Sequence, residues 1–429
     1  MVDAHRTFVI VGGGLAGAKA AETLRSEGFT GRVILICDER DHPYERPPLS
    51  KGYLTGKEER DSVFVHEPAW YARSDIELHL GQPAVHLDRA AKTVELGDGT
   101  VVPYDRLLLA TGAEPRRLDI PGTDLAGVHH LRRLAHAERL RRVLVTLGRD
   151  NGHLVIAGAG WIGLEVAAAA RGYGAEVTVI EPEPTPLHAV LGPELGRIFT
   201  DLHTEHGVRF RFGARLAEIV GQDGMVLAAR TADGDEHPAH AVLAAIGAAP
   251  RTALAEAAGL VLADRADGGG IAVDASLRTS DPDVFAAGDV AAAQHPLLGH
   301  RLRVEHWANA LNGGPAAARA MLGQEVAYDR VPYFFSDQYD MGMEYSGYAP
   351  PGSYDEVVIR GDVAKREFIA FWLAEGRVIA GLNMNVWDVT ESIQALIRTG
   401  ARPGGEALAD PSVPLASLLA AQEGREATG

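Results

Sequence analysis

Cysteine is nearly missing from this chain: Cys37 is the single one among 429 residues. One thiol excludes an intrachain disulfide and any Cys-x-x-Cys redox pair, and it suits a reducing, cytoplasmic setting. Long apolar runs are missing too, since none reaches the ~18 residues of a membrane-spanning helix. Positive charge is in deficit, 41 Lys and Arg against 58 Asp and Glu, a net charge of −17. That balance argues against a nucleic-acid partner but not against an acidic protein, because docking follows the local patch. The histidines are scattered, without the spacing of a metal site. No charged-then-apolar leader precedes the strand-like run Phe8 to Val11, so no export signal is expected.

What is present is a repeated order of elements. Thr7 to Asp38 and His153 to Glu181 each read as a β-rich run, a glycine turn, an Ala-rich helical stretch and a second β-rich run. These are two βαβ units, the mark of doubly wound α/β domains. Between them, Lys92 to Val102 alternates around an Asp-Gly turn and predicts a hairpin. Arg106 to Gly112 and Ala241 to Gly247 then read as equivalent buried strands ending at glycine, so the halves repeat each other. Near Val331 the texture changes: aromatics cluster, and strand-like runs follow at 356–359, 367–374 and 377–386, with a helix candidate at 389–398. This predicts a third, α+β domain. From Arg402 the chain is rich in Ala, Gly, Glu and Pro, and a mobile tail is expected.

Gly12-Gly-Gly14-Leu-Ala16-Gly17 fits G-x-G-x-x-G between strand and helix. The first glycine permits the turn, the second lets backbone approach a pyrophosphate, and the third lets helix and strand pack closely. The helix N-terminus then offers free N–H groups to phosphate oxygens. Asp38 and Glu39 follow where an acid should hold a ribose hydroxyl. Gly158-Ala-Gly160-Trp161-Ile162-Gly163 repeats the pattern, with Glu181 as its acid. Either motif alone could serve only packing; two copies, each in βαβ context with its acid, point to two bound nucleotides. A carboxylate at Glu181 accepts from a 2′-hydroxyl and repels a 2′-phosphate, and Pro182 to Pro186 supplies no Arg or Lys. The expected cosubstrate is therefore NADH rather than NADPH.

Five further segments, Arg46-Pro-Pro-Leu-Ser-Lys51, Ala110-Thr111-Gly112, Val284 to Asp289, Glu305-His-Trp307-Ala-Asn309 and Tyr333 to Gln338, resemble the bacterial FAD-dependent ferredoxin reductases. These serve cytochrome P450 and Rieske-type oxygenase systems and are related to apoptosis-inducing factor and, more distantly, to glutathione reductase. The resemblance runs from Phe8 to about Arg398. It implies a glutathione-reductase-like α/β fold of two Rossmann-like domains plus the C-terminal α+β domain. An FAD domain (1–114 and 247–330) would be split by an NADH domain (115–246), with an interface domain at 331–429. It also implies that Arg46, Lys51, Val85, Arg132 and Trp307 line the FAD, with Thr111 and Gly247 in the cofactor sites. Asp289 would reach the ribityl chain from the N-terminus of a following helix.

NADH gives up two electrons together as hydride, whereas an iron–sulfur centre accepts one at a time; a flavin can do both. On the resemblance, Lys51 lies beside flavin N5, paired with Glu165, and the two are the catalytic candidates. A buried ammonium would favour reduced flavin, and the carboxylate lets it stay charged; the alternative is a solvated loop lysine beside an ordinary helix residue. Trp161 is either a lid over the nicotinamide site, as tyrosine is in relatives, or packing at a domain boundary. Where redox-cysteine relatives carry a thiol, this chain has Pro47-Pro-Leu-Ser-Lys51, so a disulfide substrate is not expected. Phe335 stands where many relatives carry tryptophan, which puts an electron path through it in doubt. An acidic [2Fe–2S] ferredoxin is the expected partner of a monomeric reductase, with Arg301, Arg303, Lys365 and Arg366 as docking candidates. Two other functions stay open: an NADH oxidase or diaphorase with diffusible acceptors, and a redox-responsive binding protein like apoptosis-inducing factor.

Overall fold

The run Thr7–Val11, Thr-Phe-Val-Ile-Val, is β-branched and aromatic throughout. Such a run suits a strand with neighbours on both sides and layers on both faces. The computed structural model, which describes residues 5–419, places it at the centre of a parallel sheet. The strand order is 284–286, 106–109, 7–11, 32–36, 76–79. Val11 stands beside Ile36 on one side and Leu109 on the other. Phe8, Ile10, Ile34, Leu108 and Phe285 are fully buried, each contributing about 1.5–3 kcal/mol of hydrophobic stabilisation.

The chain divides into two compact units. The first comprises residues up to Arg46, Glu59–Glu114 and Ala248–Pro332. Around its parallel sheet it carries the helix Leu15–Ser26 and the helix Trp307–Met321. Gly314 lets these helices touch, because a Cβ there would overlap the Ala16 carbonyl. The predicted hairpin is present as Thr93–Leu96 paired with Val101–Pro103.

The second unit comprises Pro47–Glu58, Pro115–Gly247 and the chain from Tyr333 onward. Its parallel sheet runs 208–212, 176–181, 153–157, 241–244, 128–129. Ala157 stands between Ile180 and Ala244, as Val11 does between its own neighbours. The C-terminal residues form a five-stranded antiparallel sheet, 333–338, 341–347, 377–384, 367–374, 356–362. Phe368, Phe371 and Trp372 fill its core, and the helix Thr390–Thr399 packs on it through Ile393 and Leu396.

The tail expected to be mobile from Arg402 is instead packed as far as Leu418. The Arg360 guanidinium donates to the carbonyls of Leu408, Asp410, Pro411 and Val413. Five N–H donors in a fixed fork can hold several turns of irregular backbone at once. The last ten residues of that expected tail, 420–429, lie outside the described residues. Among the described residues, no helix is long and apolar enough to cross a membrane, and no cluster of three or more His, Cys, Asp or Glu could hold a metal.

Candidate functional site

The first cradle follows the central strand of the first unit. Gly12 has φ +125°, and a Cβ on it would overlap the Ala110 carbonyl. A Cβ on Gly17 would overlap the Gly12 carbonyl. Both glycines are therefore demanded by the protein's own backbone. Gly14 is different: its backbone is extended, and an added Cβ meets nothing within 4 Å. The helix it precedes has no side-chain cap, so its first-turn N–H groups face that open space. This is the geometry a pyrophosphate needs. Ala16 is buried and packs against Gly288 and Gly314.

Side chains of distant segments surround this cradle. Glu39 accepts from the Tyr44 hydroxyl at 2.7 Å and lies 3.7 Å from Arg46. Burial works against the Arg46 charge, but Tyr44, Glu39 and Asp289 outweigh it and hold the guanidinium protonated. Thr111 donates to the Arg251 carbonyl at 2.8 Å, and Arg251 pairs with Asp38 at 3.0 Å. The Trp307 indole N–H donates to Glu45 at 2.9 Å. Burial pushes His306 down to about 4, against the pull of Asp289, so this imidazole is neutral at pH 7. Val85 is exposed on the strand Ala84–Asp88.

Asp289, expected at a helix N-terminus, does not stand at one. It lies in a single 3-10 turn, Gly288–Val290, followed by the strand Ala291–Gln294. That strand pairs with both Ile271–Val273 and Arg301–Arg303, which fixes it as sheet. The same pairing corrects two docking candidates. Arg301 donates to the carbonyls of Val273 and Ala292, and Arg303 to those of Gly268 and Asp289 and to Glu305. Glu45, Tyr44 and Arg251 were not singled out by sequence, although the first two adjoin Arg46.

The second cradle repeats the rules in the second unit. Gly158 has φ +102° with the Ala245 carbonyl beside it, and a Cβ on Gly163 would overlap the Gly158 carbonyl. A Cβ on Gly160 meets nothing within 4 Å, and the helix Trp161–Tyr173 begins without a side-chain cap. Glu181 ends its strand and accepts from the Ala159 N–H at 2.6 Å and the Glu183 N–H at 3.0 Å. The Gly247 carbonyl accepts from the Arg116 N–H at 2.9 Å. Arg132 is half-buried ahead of the helix Leu134–Arg149. Trp161 is half-buried, its ring edge-on to Phe334 at 4.8 Å and to Phe199 at 5.6 Å. Ile162 is 41% exposed.

Lys51 and Glu165 meet in this unit, Nζ to Oε1 at 2.6 Å, with side-chain exposures of 16% and 3%. Ser50 donates to the other carboxylate oxygen, and Ser336 donates to Oε1 at 2.7 Å. The Phe335 ring lies 5.2 Å from the Lys51 ammonium, within cation–π range. Asp337 is pushed up by burial and by Glu165 and Glu344, with Lys51 opposing. Of the remaining docking candidates, Arg366 pairs with Glu205 at 2.6 Å, and Lys365 is exposed near Asp362. Cys37 is buried and its thiol is pushed up to about 12 by burial and by Asp38 and Glu39, so it is an inert thiol.

Two uncapped cradles of the same design, each with its acid, are the arrangement of a protein that binds two nucleotides. The chain belongs to the pyridine nucleotide-disulphide oxidoreductase family, whose model it matches over residues 6–314, and residues 333–419 match the reductase C-terminal domain. It is an oxidoreductase whose cofactors are FAD and NAD(H). It is 39% identical to the ferredoxin–NAD(+) reductase component of an anthranilate 1,2-dioxygenase system from Burkholderia cepacia, over 96% of this chain and 99% of that one. Among solved structures, the ferredoxin reductase for the CYP199A2 system of Rhodopseudomonas palustris has a TM-score of 0.91 at 36% identity, covering 96% of this chain and 99% of that one. The covalent putidaredoxin reductase–putidaredoxin complex has a TM-score of 0.92 at 34% identity, covering 97% and 99%.

Proposed function

We propose that this chain is an NADH:ferredoxin reductase that supplies a cytochrome P450 or Rieske-type oxygenase with electrons, one at a time, through an acidic [2Fe–2S] ferredoxin. The observation that carries this reading is the state of the single thiol. Cys37 is buried and its ionisation is pushed up to about 12, so no thiol relay can take electrons to a disulfide. They leave the cofactor directly, and the similarity to ferredoxin reductases makes an iron–sulfur protein the acceptor we propose. Full-length similarity to reductase components of oxygenase and P450 systems supports the same partner class.

Bound FAD supplies the conversion from a hydride pair to single electrons. Gly12, Gly14 and Gly17 with the first-turn amides hold its pyrophosphate, Glu39 its ribose, and Arg46, Thr111, Asp289, Trp307 and Val85 its remaining length. Gly158, Gly160 and Gly163 hold NADH, and Glu181 selects it over NADPH through the 2′-hydroxyl. Lys51 places a positive charge that favours the reduced cofactor, and Glu165, 2.6 Å from its Nζ, orients it. On this reading 1–114 and 247–330 serve FAD, 115–246 serves NADH, and 331–429 serves the partner, in a cytoplasmic monomer. With Arg301 and Arg303 turned inward, Lys365 remains the leading docking residue.

The test is cytochrome c reduction by NADH with and without a [2Fe–2S] ferredoxin. A large stimulation by ferredoxin that weakens with added salt is expected. Equal rates without it, with oxygen or dyes as sufficient acceptors, would replace this reading by the diaphorase one. Lys51→Met should slow flavin bleaching by NADH and shift the flavin potential measured by dye equilibration; no change in either removes the tuning role.

A further inference from the structure

Edge strand Tyr333–Gln338 alternates strictly, with Phe334, Ser336 and Gln338 on its buried face. Two of these three are polar, which is costly unless each finds partners. Gln338 donates through its amide nitrogen to Ser336 at 3.0 Å, and Ser336 donates to Glu165 at 2.7 Å. The carbonyl oxygen of Gln338 lies 2.8 Å from Nε2 of His203, so that nitrogen carries the proton. Nδ1 of His203 is then an acceptor, and the Tyr339 hydroxyl, 3.2 Å away, donates to it. His206 stacks on Tyr339 at 3.7 Å and closes the outer end. His203, Gln338, Ser336 and Glu165 are all buried, between 0% and 4% exposed.

Every hydrogen in this chain therefore points one way, from Tyr339 through His203, Gln338 and Ser336 to a carboxylate that also accepts from Ser50 and Lys51. Donors arranged so all converge on the Glu165 carboxylate and fix its rotamer. The chain does not carry protons, because a primary amide such as Gln338 passes a proton only through its imidic acid. Neutral His203 agrees with the direction, since burial pushes it down to about 4.

We propose that His203, acting through Gln338 and Ser336, is a positioning residue that holds Glu165 as the counter-ion of Lys51 and thereby helps set the flavin potential. This rests on the reading of Lys51 and Glu165 as the flavin-tuning pair.

The test measures the flavin midpoint potential of holoenzyme, by dye equilibration, for wild type, Glu165→Gln, His203→Leu, His203→Gln and the double variant Glu165→Gln/His203→Leu. Glu165→Gln should shift the potential. His203→Leu should shift it the same way by a smaller amount, and His203→Gln, which can still donate to Gln338 and accept from Tyr339, should restore it. In the Glu165→Gln background His203→Leu should add nothing. A wild-type potential in His203→Leu beside a shifted Glu165→Gln would overturn the proposal, as would a double variant in which the full His203→Leu shift adds to that of Glu165→Gln. An unmoved potential in Glu165→Gln would instead overturn the tuning role of the pair itself. Should His203→Leu not fold, Gln338→Met tests the same link and carries the same expectation.

Discussion

The two cradles obey one backbone rule and differ in the two residues at the start of each helix. In the first these are Leu15 and Ala16, 7% and 5% exposed, packed under segments that arrive from elsewhere in the unit. In the second they are Trp161 and Ile162, half-buried and 41% exposed. Glu39 is tied to Tyr44 and Arg46, on a different segment from its own strand, while Glu181 folds back on amides of its own loops. A site built from many buried segments suits a cofactor that stays; an open doorstep with a self-satisfied acid suits one that comes and goes. Similar glycine spacing can thus support retention or exchange, and the surroundings choose between them.

The comparison breaks most readily at the second glycine of each cradle. An added methyl meets no protein atom within 4 Å at Gly14 or Gly160, yet it occupies the pyrophosphate's space. Gly14→Ala should keep the apoprotein's stability to within ~0.5 kcal/mol and come off purification colourless. Gly160→Ala should stay yellow and lose about tenfold or more in kcat/KM for NADH, roughly 1.4 kcal/mol. A yellow Gly14→Ala protein would show that the first cradle does not hold the flavin.

Next in size is the acid. Glu181→Arg should raise the ratio of NADPH to NADH kcat/KM by about a hundredfold, roughly 2.7 kcal/mol. The matching change at Glu39 should leave that ratio alone and weaken flavin retention instead. Steady-state kinetics with both cosubstrates decide it.

The helix starts give a smaller contrast with an unusual sign. Leu15→Ala should destabilise by about 2–3 kcal/mol, since its site is closed. Trp161→Ala, despite the larger ring, should cost about 1–2 kcal/mol through lost edge contacts with Phe334 and Phe199. Urea unfolding measures both, and unchanged NADH binding and hydride transfer in Trp161→Ala would assign it to packing rather than gating.

Acid should act on both units, and more on the second, where His129 and His153 are also held near 4. His306 in the first and His203 in the second are held near 4 against an ordinary value of 6.5. Between those values the unfolded chain binds protons that the folded chain refuses. Stability is therefore present above pH 6.5 and lost as pH falls toward 4, by on the order of 3 kcal/mol for each buried imidazole. A flat unfolding profile across that window would mean that none of these rings is buried in neutral form.

Much of this was readable from residues alone. The third domain's helix and strands fall within a few residues of their expected places, because β-branched runs and 3.6-residue spacing are local signals. The first and third glycines of each motif were legible for the same reason: φ above +100° at Gly12 and Gly158, and carbonyls against Gly12, Gly17, Gly158 and Gly163, leave no room for a Cβ. Misreadings came where a residue's partner is far along the chain. The resemblance placed Asp289 at a helix start, but pairing with 271–273 and 301–303 makes the next residues a strand. Arg301 and Arg303 looked like surface charge until backbone carbonyls claimed them, and the tail looked loose until Arg360 gathered it.

By itself, then, the sequence determined two glycine cradles at strand-to-helix turns, each with an acid after its second strand, since those demands are met within about 30 residues of βαβ. Only the tertiary structure decided which of many serines, glutamines and histidines surround Glu165. Ser50, Ser336, Gln338 and His203 come from three separate stretches of chain. A buried polar group must find its partner wherever the fold delivers one, and no local pattern records where that will be.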